Sequence, residues 1–299
     1  MLVLCRLLAP GTGLNGMEGA GQGVLYLCAT PIGNLEDITL RVLRVLREAD
    51  LVAAEDTRRT RRLLSHYDIH TPIVSYHEHN RRRQGEYLLD RLAGGDTVAL
   101  VSDAGTPGIS DPGEELAREA ADRGIPVMSL PGPSALLAAL VVSGLTAERF
   151  VFEGFLPAKG GGRTRRLAEL AGETRTIVLY EAPHRLLKTL ADLLAGLGDR
   201  RACAARELTK LHEELLRDTL TGLKEHFTAQ PPRGEFVLVI AGATDEADAR
   251  AEEWAGMPPE EHVRLLMRDG MAKNEAIKKV ARLRNLPRQE IYKKVHVSE

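Results

Sequence analysis

From Val24 onward, short apolar runs alternate with amphipathic stretches. The runs Val24–Ala29, Leu51–Ala54, Ile73–Tyr76, Thr97–Ser102 and Val127–Leu130 predict strands. The stretches near 39–48, 58–66, 81–93, 113–123 and 133–143 predict helices. Such alternation predicts βαβ units in a mostly parallel sheet with helices on both faces. In the first helix, Leu40, Leu43, Val45 and Leu46 share one side, and Asp37 or Thr39 can cap its start.

A second set opens with FVFEGF after Arg149, beyond a turn signal at Gly144–Thr146. Strands follow at Thr176–Tyr180, Ala202–Ala205 and Phe236–Ala241, with helices near 163–171 and 184–195. The expected organisation is an α/β domain over 24–146 and a second over 147–243, with a natural cleft at their junction. Residues 1–23 are Gly-rich and aperiodic and read as a disordered tail, with Met17 as a candidate internal start. Residues 244–299 read as an acidic linker followed by a basic helical domain. Thr244–Glu253 holds five acids against Arg250, whereas His262–Ser298 holds ten Lys/Arg against three acids. There Ala276, Val280 and Leu283 form one helical face, Asn285-Leu286-Pro287 interrupts it, and Ile291 and Val295 resume. The pattern predicts a helix-turn-helix. A small helical cap with solvated basic residues fits the charge equally well, and the turn tips the reading towards nucleic acid.

Composition narrows the classes. With 43% hydrophobic and 27% charged residues in 299, the chain is globular and large enough to bury a core. A net charge of −2 leaves no whole-chain field, so any polyanion contact must come from local patches. Cys5, Cys28 and Cys203 are odd in number and far apart, which excludes a disulfide framework and favours a reducing cytoplasm. The longest apolar run, Ala135–Val142, is too short for a bilayer, and Arg6 interrupts the apolar start that a signal peptide would need. No membrane partner is expected.

After the first strand, Thr30-Pro31-Ile32-Gly33-Asn34 stands where a nucleotide-binding Rossmann fold would place G-x-G-x-x-G, and no P-loop occurs. The richest loop is Ser102–Gly113, twelve residues with three Gly, two Pro and two Asp, following the apolar TVALV. An ordinary βα turn runs about 2–6 residues, so this length points to a ligand loop. Gly105 and Gly108 let backbone approach a ligand, Pro107 stiffens the turn, and Asp103 can accept hydrogen bonds from a ribose or amino group. Pro131-Gly132-Pro133-Ser134-Ala135 then leads into an apolar helix expected to be core, whose first turn offers Ser134 and free amides.

Other clusters carry less. His77-Glu78-His79-Asn80 lacks a third placed ligand, so no metal site is expected. It suits a substrate-side loop better, because Arg81-Arg82-Arg83 follows it. Arg58, Arg59, Arg61 and Arg62 form a second basic run and Arg163, Arg165 and Arg166 a third. Charge runs are usually solvated faces, but three of them in a chain of net −2 suggest charge segregated towards phosphates. With 4% aromatic residues, extensive base stacking is not expected.

Seven segments occur in order: TPIGNLEDIT (30–39), AEDTRRTRRLL (54–64), SDAGTPGISDPG (102–113), PGPSA (131–135), FEGFLP (152–157), YEAPHRL (180–186) and RELTKLHEE (206–214). Together they resemble the bacterial small-subunit ribosomal RNA cytidine 2′-O-methyltransferases of the tetrapyrrole-methylase superfamily, over roughly 24–299. The resemblance implies two α/β domains of the tetrapyrrole-methylase type with an S-adenosylmethionine cleft between them, a homodimer, and 16S rRNA or the 30S subunit as substrate. It maps a cofactor loop onto Asp103, Gly105, Thr106, Pro107 and Ile109, with Ser134 and Ala135 beside it and backbone around Tyr180 and Ala205 closing the other side.

A ribose hydroxyl is a poor nucleophile at neutral pH, so a base or a stabilising cation should assist transfer. The candidates are Glu55, Asp56, His79, Arg206, Glu207 and Lys210. Lys210 or Arg206 can stabilise a developing alkoxide with Glu207 holding either in place. Arg206–Glu207 can equally be a structural ion pair. Two alternatives are a methyltransferase for a porphyrinoid carbon, which would need neither arginine runs nor a basic end, and a non-catalytic RNA-binding assembly protein, which leaves the Ser102–Gly113 loop unexplained.

Overall fold

The computed structural model describes residues 23–243, 257–268, 271–284 and 286–297. The expected tail up to residue 22, the acidic linker and Asn285 lie outside the described residues. Gly23, expected to end the tail, donates its amide to the Leu92 carbonyl at 2.9 Å. Of the described residues, 23–170 and 176–241 form one compact unit, and 171–175 with 242 onward form another.

In the first unit, strands β1 (Leu25–Cys28), β2 (Leu51–Ala54), β3 (Ile73–Ser75), β4 (Val98–Val101) and β5 (Val127–Leu130) build one sheet in the order β3-β2-β4-β1-β5. Every pairing in it is parallel, as the alternation predicts. Helices α1 (Leu40–Glu48), α2 (Thr57–His66), α3 (Arg81–Ala93) and α4 (Gly113–Asp122) cover it. Val42, Val45, Leu46 and Leu64 from α1 and α2 pack on one face; Leu88, Leu89, Leu92, Leu116 and Ala120 from α3 and α4 pack on the other. Each fully buried Val or Leu among them contributes roughly 1.5–3 kcal/mol. The Thr39 hydroxyl, not Asp37, caps α1 by accepting from the Val42 amide at 3.2 Å.

The second sheet joins β6 (Phe150–Phe155), β7 (Thr176–Glu181), β8 (Arg201–Arg206), β9 (Glu214–Thr219) and β10 (Phe236–Ile240) in the order β6-β7-β10-β8-β9. Only β6 and β7 pair in parallel; the other three pairings are antiparallel. The pattern did not predict β9, because an edge strand reading ELLRDT has no buried position to mark it. It also left out α8 (Leu220–Ala229), although Leu220, Leu223 and Phe227 fall on one helical side. Helix α6 (Gly161–Ala171) follows β6, and α7 (Pro183–Leu197) starts on a proline suited to a first turn.

Helix α5 (Ala135–Val142) follows β5 of the first sheet, yet Leu136, Ala139 and Leu140 pack on Val178, Cys203, Ala205 and Val239 of the second. Its other side departs from the expected core helix: Leu137 and Val141 are 50% and 71% exposed.

The second unit contains α9 (Pro259–Arg268), α10 (Lys273–Leu283) and α11 (Arg288–Val297). They bury Val263, Leu266, Ile277, Val280, Ile291 and Val295 together. The last two are the predicted helix pair. The pattern did not predict α9, although Val263 and Leu266 fall on one helical side.

Candidate active site

Parallel strands deliver their following loops to one edge of a sheet, and the loop after β4 is tied into shape there by its own residues. Asp111 accepts the amides of Gly108 at 2.9 Å and Gly113 at 2.7 Å. Gly105 exchanges backbone hydrogen bonds of 2.9 Å with Thr30. Its φ of +83° is a conformation that favours glycine. Thr106 donates to the Pro133 carbonyl at 3.2 Å, joining this loop to the next turn, where the Ser134 hydroxyl caps α5.

These loops form one wall of a cavity of about 490 Å³; the other comes from the second sheet. The first wall carries Glu55, Asp103, Gly105, Thr106 and Ile109, with Ser134 and Ala135 at the head of α5. The second carries Tyr180, Ala205 and Lys210. Tyr180 packs edge-on to Phe152 and Phe155, with ring centroids 4.9 and 5.8 Å away. Pro107, Asp56, His79, Arg206 and Glu207 are not on the cavity wall.

The electrostatics separate the candidates. Burial raises the Glu55 carboxyl above its ordinary range, and the nearby Asp103 and Asp111 charges push it further. Asp103 spends one oxygen on the Asp56 amide, 2.9 Å away, and holds Arg59 at 3.4 Å with the other. Asp56 is the N-cap of α2; the Arg58 side chain and amide hold its carboxyl down to about 2. Lys210 Nζ donates to Glu207 at 2.9 Å and Glu235 at 2.8 Å. Burial lowers its proton affinity, but the two carboxylates more than offset this and the net direction is up. Burial likewise raises Glu207, and its bonds from Lys210 and the Glu235 amide bring it below the ordinary value. Arg206 donates to the Arg233 carbonyl at 2.8 Å and Glu214 at 2.9 Å. His79 is exposed, its ring 5.9 Å from that of His77.

Sequence reasoning missed Ile32, Asp111, Phe155, Glu181 and Glu235 as wall residues. The first four lie inside the recognised segments, so the segments held the signal. Glu235 lies in none: it reaches the wall because Gly234, at φ +79°, turns the chain into β10.

The model of the Tetrapyrrole (Corrin/Porphyrin) Methylases matches residues 24–224. The chain belongs to the tetrapyrrole methylases. Among relatives of this family, "Ribosomal RNA small subunit methyltransferase I" of Synechocystis is 51% identical over 91% of this chain and 96% of its own. Diphthine synthase has the same fold, with a TM-score of 0.59 and 18% identity over 74% of this chain and 91% of its own. So does a Thermus thermophilus uroporphyrin-III C-methyltransferase complexed with S-adenyl homocysteine (TM-score 0.54, 21% identity, 73% of this chain and 97% of its own). Tetrapyrrole methylases use S-adenosylmethionine, and this cavity's chemistry suits it. Its size is within the roughly 300–1,000 Å³ of small-molecule sites. The carboxylates of Glu55, Asp103 and Asp111 favour a cationic ligand, while Ile32, Ile109, Phe155 and Leu208 offer apolar surface to a purine.

Proposed function

We propose that this methyltransferase methylates the ribose 2′-hydroxyl of a cytidine in 16S rRNA, taking the methyl group from S-adenosylmethionine. The carrying observation is the pairing, on one cavity, of an acidic glycine-turned loop with Lys210 and Glu55 from different elements. The relatives named as ribosomal RNA methyltransferases support the substrate, and the seven ordered segments support the position of methylation.

The bound cofactor supplies an electrophilic methyl on a sulfonium. The loop backbone around Ala104 and Gly105 and the Ser134 turn hold the ligand in place; positioning of this kind is worth about 7–11 kcal/mol. Glu55 is the cavity carboxylate with raised proton affinity, which fits it to take the proton of the attacking hydroxyl at its own oxygen. Lys210, fixed by two carboxylates, stabilises developing negative charge on that hydroxyl. Asp56 and Arg206 serve as a helix cap and an ion pair beside this machinery.

The same reading takes the cytoplasm as the site of action and a homodimer as the working form; the exposed Leu137 and Val141 of α5 favour self-association. The deciding experiment is mass spectrometry of ribose methylation in 16S rRNA from cells lacking this chain. One cytidine should lose its methyl group and regain it when the purified chain and S-adenosylmethionine are added. An unchanged methylation pattern refutes the function.

A further inference from the structure

Two adjacent helices of the first sheet begin with arginines where physics disfavours them. A helix N-terminus carries partial positive charge and prefers acidic residues in its first turn. Helix α2 places Arg58, Arg59, Arg61 and Arg62 in its first two turns, and α3 opens with Arg81, Arg82 and Arg83; neither has an acid in its first turn.

The topology brings the two runs to one edge. Ala54 and Ser75 are register partners at the carboxyl ends of the parallel neighbours β2 and β3; α2 starts after Glu55 and Asp56, and α3 after the loop of residues 76–80. Because α2 lies on one face of the sheet and α3 on the other, the arginines flank that edge from both sides. This is the edge that carries Glu55 and the cavity, and Arg59 itself lines the cavity wall. Arg58, Arg59 and Arg81 are neutralised by Asp56, Asp103 and Glu115. Among the described residues, Arg61, Arg62, Arg82 and Arg83 are exposed, and their side chains pair with no carboxylate and no hydrogen-bond acceptor.

We propose that these four arginines form a phosphate-gripping rim for the RNA substrate, laying its backbone across the β2–β3 edge so that one ribose reaches the cavity. The inference rests on the rRNA reading above and adds the surface that holds the strand. Guanidinium groups suit phosphate because their forked donors match its oxygens. Arg82 and Arg83 stand in the first turn of α3, and Arg61 and Arg62 in the second turn of α2. Four like charges gathered there without carboxylates oppose folding by repulsion, and a polyanion turns that arrangement into binding.

The test uses the full chain with Arg61, Arg62, Arg82 and Arg83 all changed to Gln, and 16S rRNA as the probe across a series of KCl concentrations. Each lost phosphate contact should flatten the slope of log affinity against log salt by roughly 0.7–0.9. The variant should keep its affinity for S-adenosylmethionine, and its melting temperature should hold or rise, because mutually repelling charges have left α2 and α3. An unchanged affinity and salt slope, with the unaltered chain binding and methylating the RNA, overturns the rim and leaves the function standing. A weaker affinity with an unchanged salt slope also overturns it. If the unaltered chain neither binds nor methylates 16S rRNA, the function falls and the rim with it.

Discussion

The Asp103 carboxylate accepts the Asp56 amide at 2.9 Å, so the loop after β4 holds the first residue of the α2 cap. One side chain thereby fixes the acidic wall of the cavity and the helix that carries Arg59, whose guanidinium stands 3.4 Å from the other Asp103 oxygen. A change at Asp103 should therefore report on ligand and helix together.

Asp103→Asn retains an acceptor for the Asp56 amide and loses the charge, together with the exposed pairing to Arg59 that is worth little. Thermal stability should stay near that of the unaltered chain, while calorimetry shows weaker binding of the cationic cofactor. Asp103→Ala leaves that amide without its acceptor and should cost about 1 kcal/mol in addition. Equal melting temperatures for the two variants would refute the structural half of this argument.

Glu55→Gln should stabilise the fold and impair the enzyme. Burial, with Asp103 and Asp111 nearby, raises the Glu55 carboxyl above its ordinary 4.5 in the folded state. The folded chain therefore binds this proton more readily than the unfolded chain, and ionising Glu55 costs stability as pH rises from about 4.5 through the raised value. The melting-temperature gain of the variant should be absent in acid, grow over that window and hold at neutral pH. Methyl transfer at neutral pH should drop by about 10²–10⁴-fold if Glu55 takes the proton.

A Cβ on Gly33 would collide with Lys210 Cγ and stand 3.0 Å from the Leu208 carbonyl. Gly33→Ala therefore forces the loop after β1 away from the loop after β8, at a cost of about 1–3 kcal/mol. Since Lys210 lines the cavity, kcat should fall along with stability. A fully active, fully stable variant would show that the two loops can part freely.

Lys210→Met leaves Glu207 and Glu235 facing each other. The ion pairs are partly exposed and should contribute about 1 kcal/mol or less. Glu207 titrates below its ordinary 4.5, so its contribution is present above that value and lost as pH falls through its folded one. Lys210 titrates above its ordinary 10.5, so its contribution is present below that value and lost as pH rises further. Denaturation across pH should thus show the stability gap at neutral pH and see it close at both extremes. A gap that persists in acid would mean lost packing, not lost charge.

Local pattern determined much of this molecule. The spacing of apolar residues specified β1 to β5 and α1 to α5 within two residues of their ends, and the composition of Ser102–Gly113 singled out the loop that lines the cavity. Tertiary structure decided which strands pair and in which direction. A strand's own residues record which side is buried but not its neighbour, so the antiparallel order of the second sheet and the polar edge strand β9 left no local trace. The packing of α5 on the second sheet is of the same kind, since its apolar run fits either sheet. So is the pairing of Lys210 with Glu235, which are 25 residues apart in sequence and meet only because β8 and β10 lie side by side.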